Sequence, residues 1–541
     1  MNKEKETSKE LPTILWEAAD ILRSKMDANT YKDYVLPLLF FKYLSDKILY
    51  TVNKLATYDE NPTLEDKLRE YEAIYNKRAT DDTWTKLQKQ LKIQMRCVLE
   101  PKYTYTSIVN TIKNGSFDRS LLDAAFKEIE SCDPIFEGLF ASIDLYSKNL
   151  GVTPQKQANE IIKVVLKINE ANLLEYSGDA IGDAYEYMIG QFASETGKKA
   201  GEFYTPKAVS EVLTRIAIQG QEQIKGLSIY DPAMGSASLL LDAANFTKYP
   251  DYVKYYGQEI MPTTYNLARM NMMLHGIDPS NQHLRNGDTL DADWPATLDN
   301  QFDMVVMNPP YSHDWSAAPG FKTDPRFSDF GGNLAPKSKA DYAFLLHGYY
   351  HLKNTGTMGI VLPHGVLFRG AKEGKIRQIL CEKGAIYAVI GLPANLFYST
   401  SIPTIIMVLK KNRDNLHRDI LFIDASQEFE KEKTQNKLKP HHIDAILKLY
   451  TERKDVDKKA HLATFEEIEK NDFNLNIPRY VDAFEEEPEI NISEVVNSIN
   501  EIDKEIGKLN QDIASQIQEL TSDDKELLDQ IRSLSNLFGS N

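Results

Sequence analysis

Residues 227–246 read LSIYDPAMGSASLLLDAANF. A short apolar run stops at Asp231, small residues follow, and a second apolar run with helical character begins. Strand, loop and helix in that order form the repeating unit of α/β sheets. Gly235, with Ser236 and Ala237 beside it, lets a ligand come close to the backbone. The start of the following helix offers N–H groups there, and Asp231 is suited to bind an ammonium or a hydroxyl. A simple tight turn has the same composition, so this stretch alone leaves both readings open.

Working outward, the same alternation fills residues 220–425. Apolar runs rich in Val, Ile and Tyr recur as LSIY (227–230), YVKYYG (252–257), FDMVVM (302–307), TMGIVL (357–362), AIYAVIGL (385–392), TIIMVL (404–409) and ILFI (420–423), with helical stretches between them. The pattern predicts an α/β fold with a mostly parallel sheet. Ligands of such sheets bind beyond the carboxyl ends of the strands, so residues just after a strand are candidates. Glu259, in YYGQEI, stands 28 residues past Asp231. An acid at about that distance from a small-residue loop grips a nucleotide ribose; a solvated loop carboxylate is the plainer reading. Asn286-Gly-Asp288-Thr reads as a turn before FDMVVM. Asp288 is suited to accept from an adenine amine, or to close an Asx turn.

The most specific element is Asn308-Pro309-Pro310-Tyr311, where FDMVVM ends. Proline cannot extend a ladder, it fixes φ, and it holds the preceding asparagine extended. The result is a stiff presentation of a carboxamide, backbone carbonyls and an aromatic ring. That set suits a poorly nucleophilic amine whose lone pair is delocalised into a ring. The Asn308 side-chain oxygen and the Pro309 carbonyl would accept its N–H bonds and stabilise the positive charge that develops as it attacks a methyl donor. Tyr311 would stack on the base, which in duplex DNA must first be flipped out. Methylation at cytosine carbon needs a thiol nucleophile, usually after proline. Cys97, Cys132 and Cys381 follow Arg, Ser and Leu, so that chemistry is disfavoured.

Composition bounds the rest. The 541 residues include 63 Lys and Arg against 79 Asp and Glu, a net charge of −16, with 42% hydrophobic residues. There is ample apolar material for large cores, which excludes a wholly disordered chain. A chain of that charge repels phosphate overall, so DNA contact needs a local basic face or a basic partner. Three scattered cysteines without CxxC predict neither a disulfide framework nor a zinc site. The polar N-terminus and the lack of a long apolar run predict a soluble cytoplasmic protein with no membrane span. No metal site is expected.

Residues 1–165 carry helical periodicity, with Leu15, Leu22, Leu38, Phe41, Leu44 and Ile48 on it, Pro37 starting or kinking a helix, and a similar pattern from Leu121 to Leu150. Residues 166–483 hold the sheet, and 484–541 form a tail. Glu485–Glu489 reads as an acidic linker. After it, Ile492, Val495, Ile499, Ile502, Ile506, Leu509, Ile513 and Leu520 form a short heptad seam, which calls for a partner helix or a fold-back on its own domain. Residues 312–339 make a long Gly-, Pro- and Asp-rich connection with Lys322, Arg326, Lys337 and Lys339. Its length predicts a function such as closing over the substrate, or a surface loop.

DPAMGSAS, the acid in GQEI and NPPY, in this order, resemble the amino-directed DNA methyltransferases that use S-adenosylmethionine. GEFYTP (201–206), LWEAADILRSKMDANTYKDYVLPLLFFKYLSD, LAPKSKADYAFLLHGYYHLK, GIVLPHGVLFRG and NLNIPRYVD resemble, more narrowly, the modification subunit of type I restriction–modification systems. The resemblance runs from about Leu15 to Val481. It implies a Rossmann-like methyltransferase sheet with a helical N-terminal domain and a C-terminal helical tail. It also implies adenine N6 methylation in double-stranded DNA, and a cofactor segment Glu202, Phe203, Tyr204, Thr205, Pro206 and Lys207. As a plain helix start, that segment would have Thr205 capping and Pro206 in the first turn. The implied partners are a specificity subunit, flanked by two modification subunits, and a motor and nuclease subunit; the tail would dock on the specificity subunit. One departure is Ala237, where many such enzymes have glycine. Protein glutamine methylation, which also uses NPPY, and a non-catalytic cofactor-binding assembly role are the competing readings.

Overall fold

Strand formation follows the apolar runs. The computed structural model describes residues 2–57, 67–195, 204–291, 293–295, 301–397, 401–411, 413, 417–432, 435–482, 492–521 and 523–538. Contacts divide the chain into two units, Met1–Ala483 and Phe484–Asn541.

In the first unit the strands are β1 (Ser228–Asp231), β2 (Lys254–Glu259), β3 (Gln282–Asn286), β4 (Phe302–Met307), β5 (Leu352–Pro363), β6 (Ile386–Gly391), β7 (Thr404–Lys410), β8 (Ile420–Asp424), a ribbon of β9 (Glu430–Lys431) with β10 (Asn436–Lys437), and β11 (Ala460–Ala463). Nine of them form one sheet in the order β11-β8-β6-β7-β5-β4-β1-β2-β3. Five ladders are parallel. The two ladders of β7 and the ladder of β11 are antiparallel. The chain steps from β1 outward to β3, then returns to lay β4 on the other side of β1, pairing Ile229 with Met304 and Tyr230 with Val305. Connections leave β1 and β4 in opposite directions, and this reversal opens a crevice at their carboxyl ends. The DPAMGSAS loop and NPPY lie there.

Several expectations are corrected. Asn286 is not part of a free turn but ends strand β3, whose residues are partly buried or exposed and carry a weak apolar signal. LLLDAANF gives one helical turn, Ser238–Leu241, and then a 3-10 segment, Asp242–Phe246. Pro37 lies inside the helix Ala28–Thr57, which removes the helix-start alternative and leaves the other. The pattern from Leu121 resolves into the helix Arg119–Cys132, capped by Asp118, followed by turns. Cys97 and Cys132 are paired as a disulfide, with Cα atoms 4.9 Å apart. Helix packing brings them together across 35 residues of sequence, a proximity that spacing does not signal.

The N-terminal helices bury Leu15, Leu22, Leu38, Phe41, Leu44 and Ile48 as their period requires. Phe126 and Phe140 stack at 4.4 Å in the same core. That core also takes in Leu267, Met270 and Leu274 from the helix Pro262–Leu274, which follows β2. Arg269 of this helix donates to the carbonyls of Ile135 (2.5 Å) and Glu137 (2.8 Å).

Residues 312–339 are not structureless. They hold a 3-10 segment Pro319–Thr323 and a helical turn Pro325–Ser328. Trp315, Phe327, Phe330 and Leu334 are buried in the core that covers one sheet face. In the second unit the helix Ile492–Gln518 packs on the helix Lys525–Phe538. Its residues Ile492, Val495, Ile499, Ile502, Ile506 and Leu509 are exposed. Glu485–Glu489 lies outside the described residues. Among the described residues no helix is long and apolar enough to cross a membrane.

Candidate active site

A cavity of about 260 Å³ opens beyond β1, β2 and β4. Its wall includes Glu259 and Met261 after β2, Asp288 and Leu290 after β3, and Asn308 and Pro310 after β4. The alternation of a strand sends every second side chain to one face. Asp231, Glu259 and Asn308 therefore share a face with Ile229, Tyr255, Met304 and Val306, whose core also contains the helix Lys207–Ile218.

Glu259 joins the loops. Its side chain accepts from the N–H of Gly235 (3.1 Å) and of Met261 (2.8 Å), and its carbonyl accepts from Gly287 (3.0 Å). The Gly235 N–H is thus spent inside the protein. Gly257, directly across from Asp231 in the sheet, has no room for a side chain: a Cβ there would lie 2.3 Å from the Met234 sulfur. Asp288 accepts from the Leu290 N–H at 2.9 Å, the Asx turn expected as its plainer role, and lines the cavity as well.

Asp231 is buried behind this wall and accepts from the Ala233 N–H at 2.9 Å. Burial pushes its carboxyl up to about 8, opposed by that N–H and reinforced by the charge of Glu259. The folded state therefore keeps a proton that the unfolded chain has already lost above the ordinary carboxyl range. Stability from this group is present at low pH, declines as pH rises towards 8, and levels off beyond it. A thermal melt series should show the midpoint falling between pH 5 and about 8, with a visibly shallower slope in Asp231→Asn.

Ser236 is buried, its hydroxyl 3.0 Å from that of Ser238. Ala237 is fully buried at φ 66°, a left-handed conformation that favours glycine. The departure noted in the sequence thus costs conformational energy. Ala237→Gly should relieve strain of roughly 1–2 kcal/mol, minus roughly 0.5–1 kcal/mol for the freer unfolded chain. A gain of about 0.5–1 kcal/mol in denaturant unfolding is expected.

At the end of β4, the Asn308 Nδ2 donates to Thr205 Oγ1 at 3.1 Å. The Tyr311 hydroxyl donates to Asn308 Oδ1 at 2.7 Å. Tyr311 meets Phe397 edge-on, with centroids 6.2 Å apart, and Pro309 is buried. Thr205 does not cap the next helix; Pro206 stands at that cap, and its carbonyl accepts from Val209 and Ser210. Lys207 pairs with Asp183 at 3.0 Å, both side chains well exposed, and is not part of the cavity wall. Tyr204 packs on Gly190 and the N-terminal core. Glu202 and Phe203 lie outside the described residues.

Sequence reasoning missed four contributors. Asp341 is fully buried; it accepts from the Ser312 N–H (2.9 Å) and binds Arg369 (2.8 Å), which pins the chain just past NPPY. Trp315 and Phe344 supply aromatic wall. Gln258 is completely buried against the cavity, and both atoms of its amide lack a hydrogen-bond partner. An unmatched buried amide is costly unless a polar ligand or water meets it. Gln258, the acids Glu259 and Asp288, and the apolar Ile260, Met261 and Leu290 fit a ligand with a purine, a diol and a charged tail. Separately, Asp293, His347 and His351 come within metal-binding range of one another. The Arg326 guanidinium stands 3.2 Å from His347 and 3.9 Å from Asp293, so a cation already fills that position.

Comparison with known proteins agrees with this geometry. Residues 176–489 match the family described as N-6 DNA Methylase, and residues 11–168 match the HsdM N-terminal domain. The chain is 36% identical to the type I restriction enzyme MpnII methylase subunit of Mycoplasma pneumoniae, over 90% of this chain and 92% of that protein. It is 31% identical to the MjaVIII methylase subunit of Methanocaldococcus jannaschii, over 92% of this chain and 82% of that protein. The crystal structure of a type I restriction–modification methyltransferase subunit from Streptococcus thermophilus superposes with a TM-score of 0.84 at 54% identity, covering 88% of this chain and all of that one. The chain therefore belongs to the N-6 DNA methylase family, S-adenosylmethionine-dependent adenine methyltransferases, and within it to the methylase subunits of type I restriction enzymes.

Proposed function

We propose that this chain methylates adenine N6 in a sequence selected by a partner subunit, with Asn308, Pro309, Pro310 and Tyr311 forming the seat of the target amine. The observation that carries the assignment is the carboxamide of Asn308, held at the carboxyl end of β4 and in the wall of the same cavity as Glu259 and Asp288.

S-adenosylmethionine, when bound, supplies an electrophilic methyl group on a sulfonium. Glu259 would hold the ribose hydroxyls and Asp288 the adenine amine, with Ile260 and Leu290 beside the ring. Asp231, Gly235, Ser236 and Ala237 would form the loop beside its charged end. A carbonyl oxygen has two lone pairs. Asn308 Oδ1 gives one to the Tyr311 hydroxyl, and the second is the acceptor for a target N–H. The Pro309 carbonyl accepts the other N–H. Together they draw the amine towards tetrahedral geometry and stabilise its developing positive charge. The methylated ammonium is acidic enough to lose its proton late, so no strong base is needed.

The division of labour follows the three regions: 1–165 as a helical domain, 166–483 as the methyltransferase, and 484–541 as the docking tail. The exposed seam from Ile492 to Leu509 supports docking on helices of a specificity subunit, since an uncovered aliphatic row of that length favours a partner. Two such chains would flank one specificity subunit, with a motor and nuclease subunit joining for restriction, in the cytoplasm. The net charge of −16 supports delegation of sequence reading to that partner. Nothing in the fold or the relatives favours protein glutamine methylation or a non-catalytic role.

The test is transfer of labelled methyl to adenine of target duplex by the complex with its specificity subunit, the product identified as N6-methyladenine. Label on protein, or none in any partner combination, would overturn the assignment.

A further inference from the structure

We propose that the Gln258 carboxamide pairs with the polar edge of the donor's adenine, a contact separate from the carboxylate of Asp288. The inference rests on the reading of the cavity beyond β1, β2 and β4 as the seat of S-adenosylmethionine.

Gln258 stands on β2, one residue before Glu259. Successive side chains of a strand point to opposite faces, yet both of these residues line the cavity. Tyr256, two residues back and on the Gln258 face, packs against the core that holds Leu290, Trp315 and Phe344. Those three also line the cavity. A ring would rest on that apolar and aromatic side, with its ribose hydroxyls towards Glu259. The Gln258 side chain is completely buried, and neither amide atom has a hydrogen-bond partner among the described residues. The amide lies against the backbone just ahead of Asp288: a Cβ at Gly287 would stand 3.3 Å from Gln258 Nε2.

An unmatched buried amide is costly, and a ligand that offers a donor beside an acceptor removes the cost. An adenine edge does so, because its amine donates and the neighbouring ring nitrogen accepts. The amine has two N–H bonds, one on each side, so Asp288 can take one while Gln258 takes the other together with the adjacent nitrogen. Carboxylates only accept, so Glu259 and Asp288 cannot serve a ring nitrogen. The Trp315 N–H and the Thr289 hydroxyl are already given to the carbonyls of Pro336 (3.0 Å) and Pro232 (2.5 Å). Gln258 still has its N–H bonds to give. Both ends of its amide are unengaged, so it can turn to match whichever edge it meets.

The experiment uses the full complex with its specificity subunit, without DNA. Calorimetry measures affinity for S-adenosylhomocysteine, the demethylated form of the donor, and for its 1-deaza and 7-deaza analogues. Each analogue lacks one of the two ring nitrogens that flank the amine. Wild type, Gln258→Met and Glu259→Ala are compared. Loss of the paired contact corresponds to roughly tenfold, so Gln258→Met should bind S-adenosylhomocysteine about tenfold more weakly than wild type. One analogue should bind wild type severalfold more weakly than the parent compound. That penalty should shrink below about twofold in Gln258→Met, because the group that met the missing nitrogen is gone; the analogue concerned identifies the edge. The donor-free complex of Gln258→Met should melt no lower than wild type, since an unmatched amide has been removed. If it melts lower, Gln258→Leu is measured in its place, and a lower melt in both makes the amide a structural group and overturns the proposal. Wild-type affinity in the Gln258 variant, no penalty for either analogue in wild type, or penalties that persist undiminished in the variant also overturn it. Loss of affinity in Glu259→Ala alone sinks this proposal and leaves the donor's seat standing. Full affinity in both variants sinks the seat as well.

Discussion

Asn308→Ala is expected to lower the methyl-transfer rate about 10³-fold in single turnover while leaving donor affinity within about threefold. Removing one preorganised group aimed at developing charge typically costs 10²–10³ in rate. Here the loss is at the upper end, because the variant also frees the two hydroxyls that hold the amide, Thr205 and Tyr311. Among the described residues the Asn308 side chain bonds Thr205 and Tyr311 and not the loops joined by Glu259, so the donor's seat should survive. Rapid-quench measurement with labelled donor, paired with calorimetry, separates the two quantities. A parallel loss of donor affinity would mean that residue 308 builds the cofactor pocket rather than the amine seat.

Glu259→Ala should show the opposite split. Its carboxylate holds the N–H groups of Gly235 and Met261, two donors on separate loops. Alanine leaves both without their acceptor and removes the charge that would meet a ribose diol. An unmatched buried donor costs about 1–3 kcal/mol, so the loops should lose their shared anchor and donor affinity should fall about 10²-fold. At saturating donor the transfer rate should recover to within about tenfold of wild type. Glu259→Gln, which keeps an acceptor oxygen, should fall between the two. Unchanged calorimetric affinity in Glu259→Ala would remove this residue from the donor's seat.

Much of this site was legible because its chemistry is written in short, unusual words. Two prolines ending a buried strand are structurally expensive, so Asn308-Pro309-Pro310-Tyr311 declared itself. Asp231 and Glu259 were readable from their place after apolar runs. What sequence hid were partnerships made through space. Asp341 looks like a helix-start acid, yet it pins Ser312. Gln258 sits one residue before Glu259 and carries no signal of its burial. Thr205 looks like a cap and instead meets Asn308. Strands β3 and β11 were missed because their side chains are half-exposed and their runs short. The cysteine pair was missed because helix packing, not spacing, brings Cys97 to Cys132.

The helix Pro262–Leu274 is lodged in the N-terminal core through Leu267, Met270 and Leu274, while the backbone just ahead of it carries Met261 to Glu259. Two neighbouring family matches, 11–168 and 176–489, invite excision of one from the other. Such a cut would strip from this helix the part of its apolar cover that the helix Ala28–Thr57 supplies, and leave the catalytic portion with a wet, sticky flank. The two regions are modular as inherited text but are not separable as folded matter.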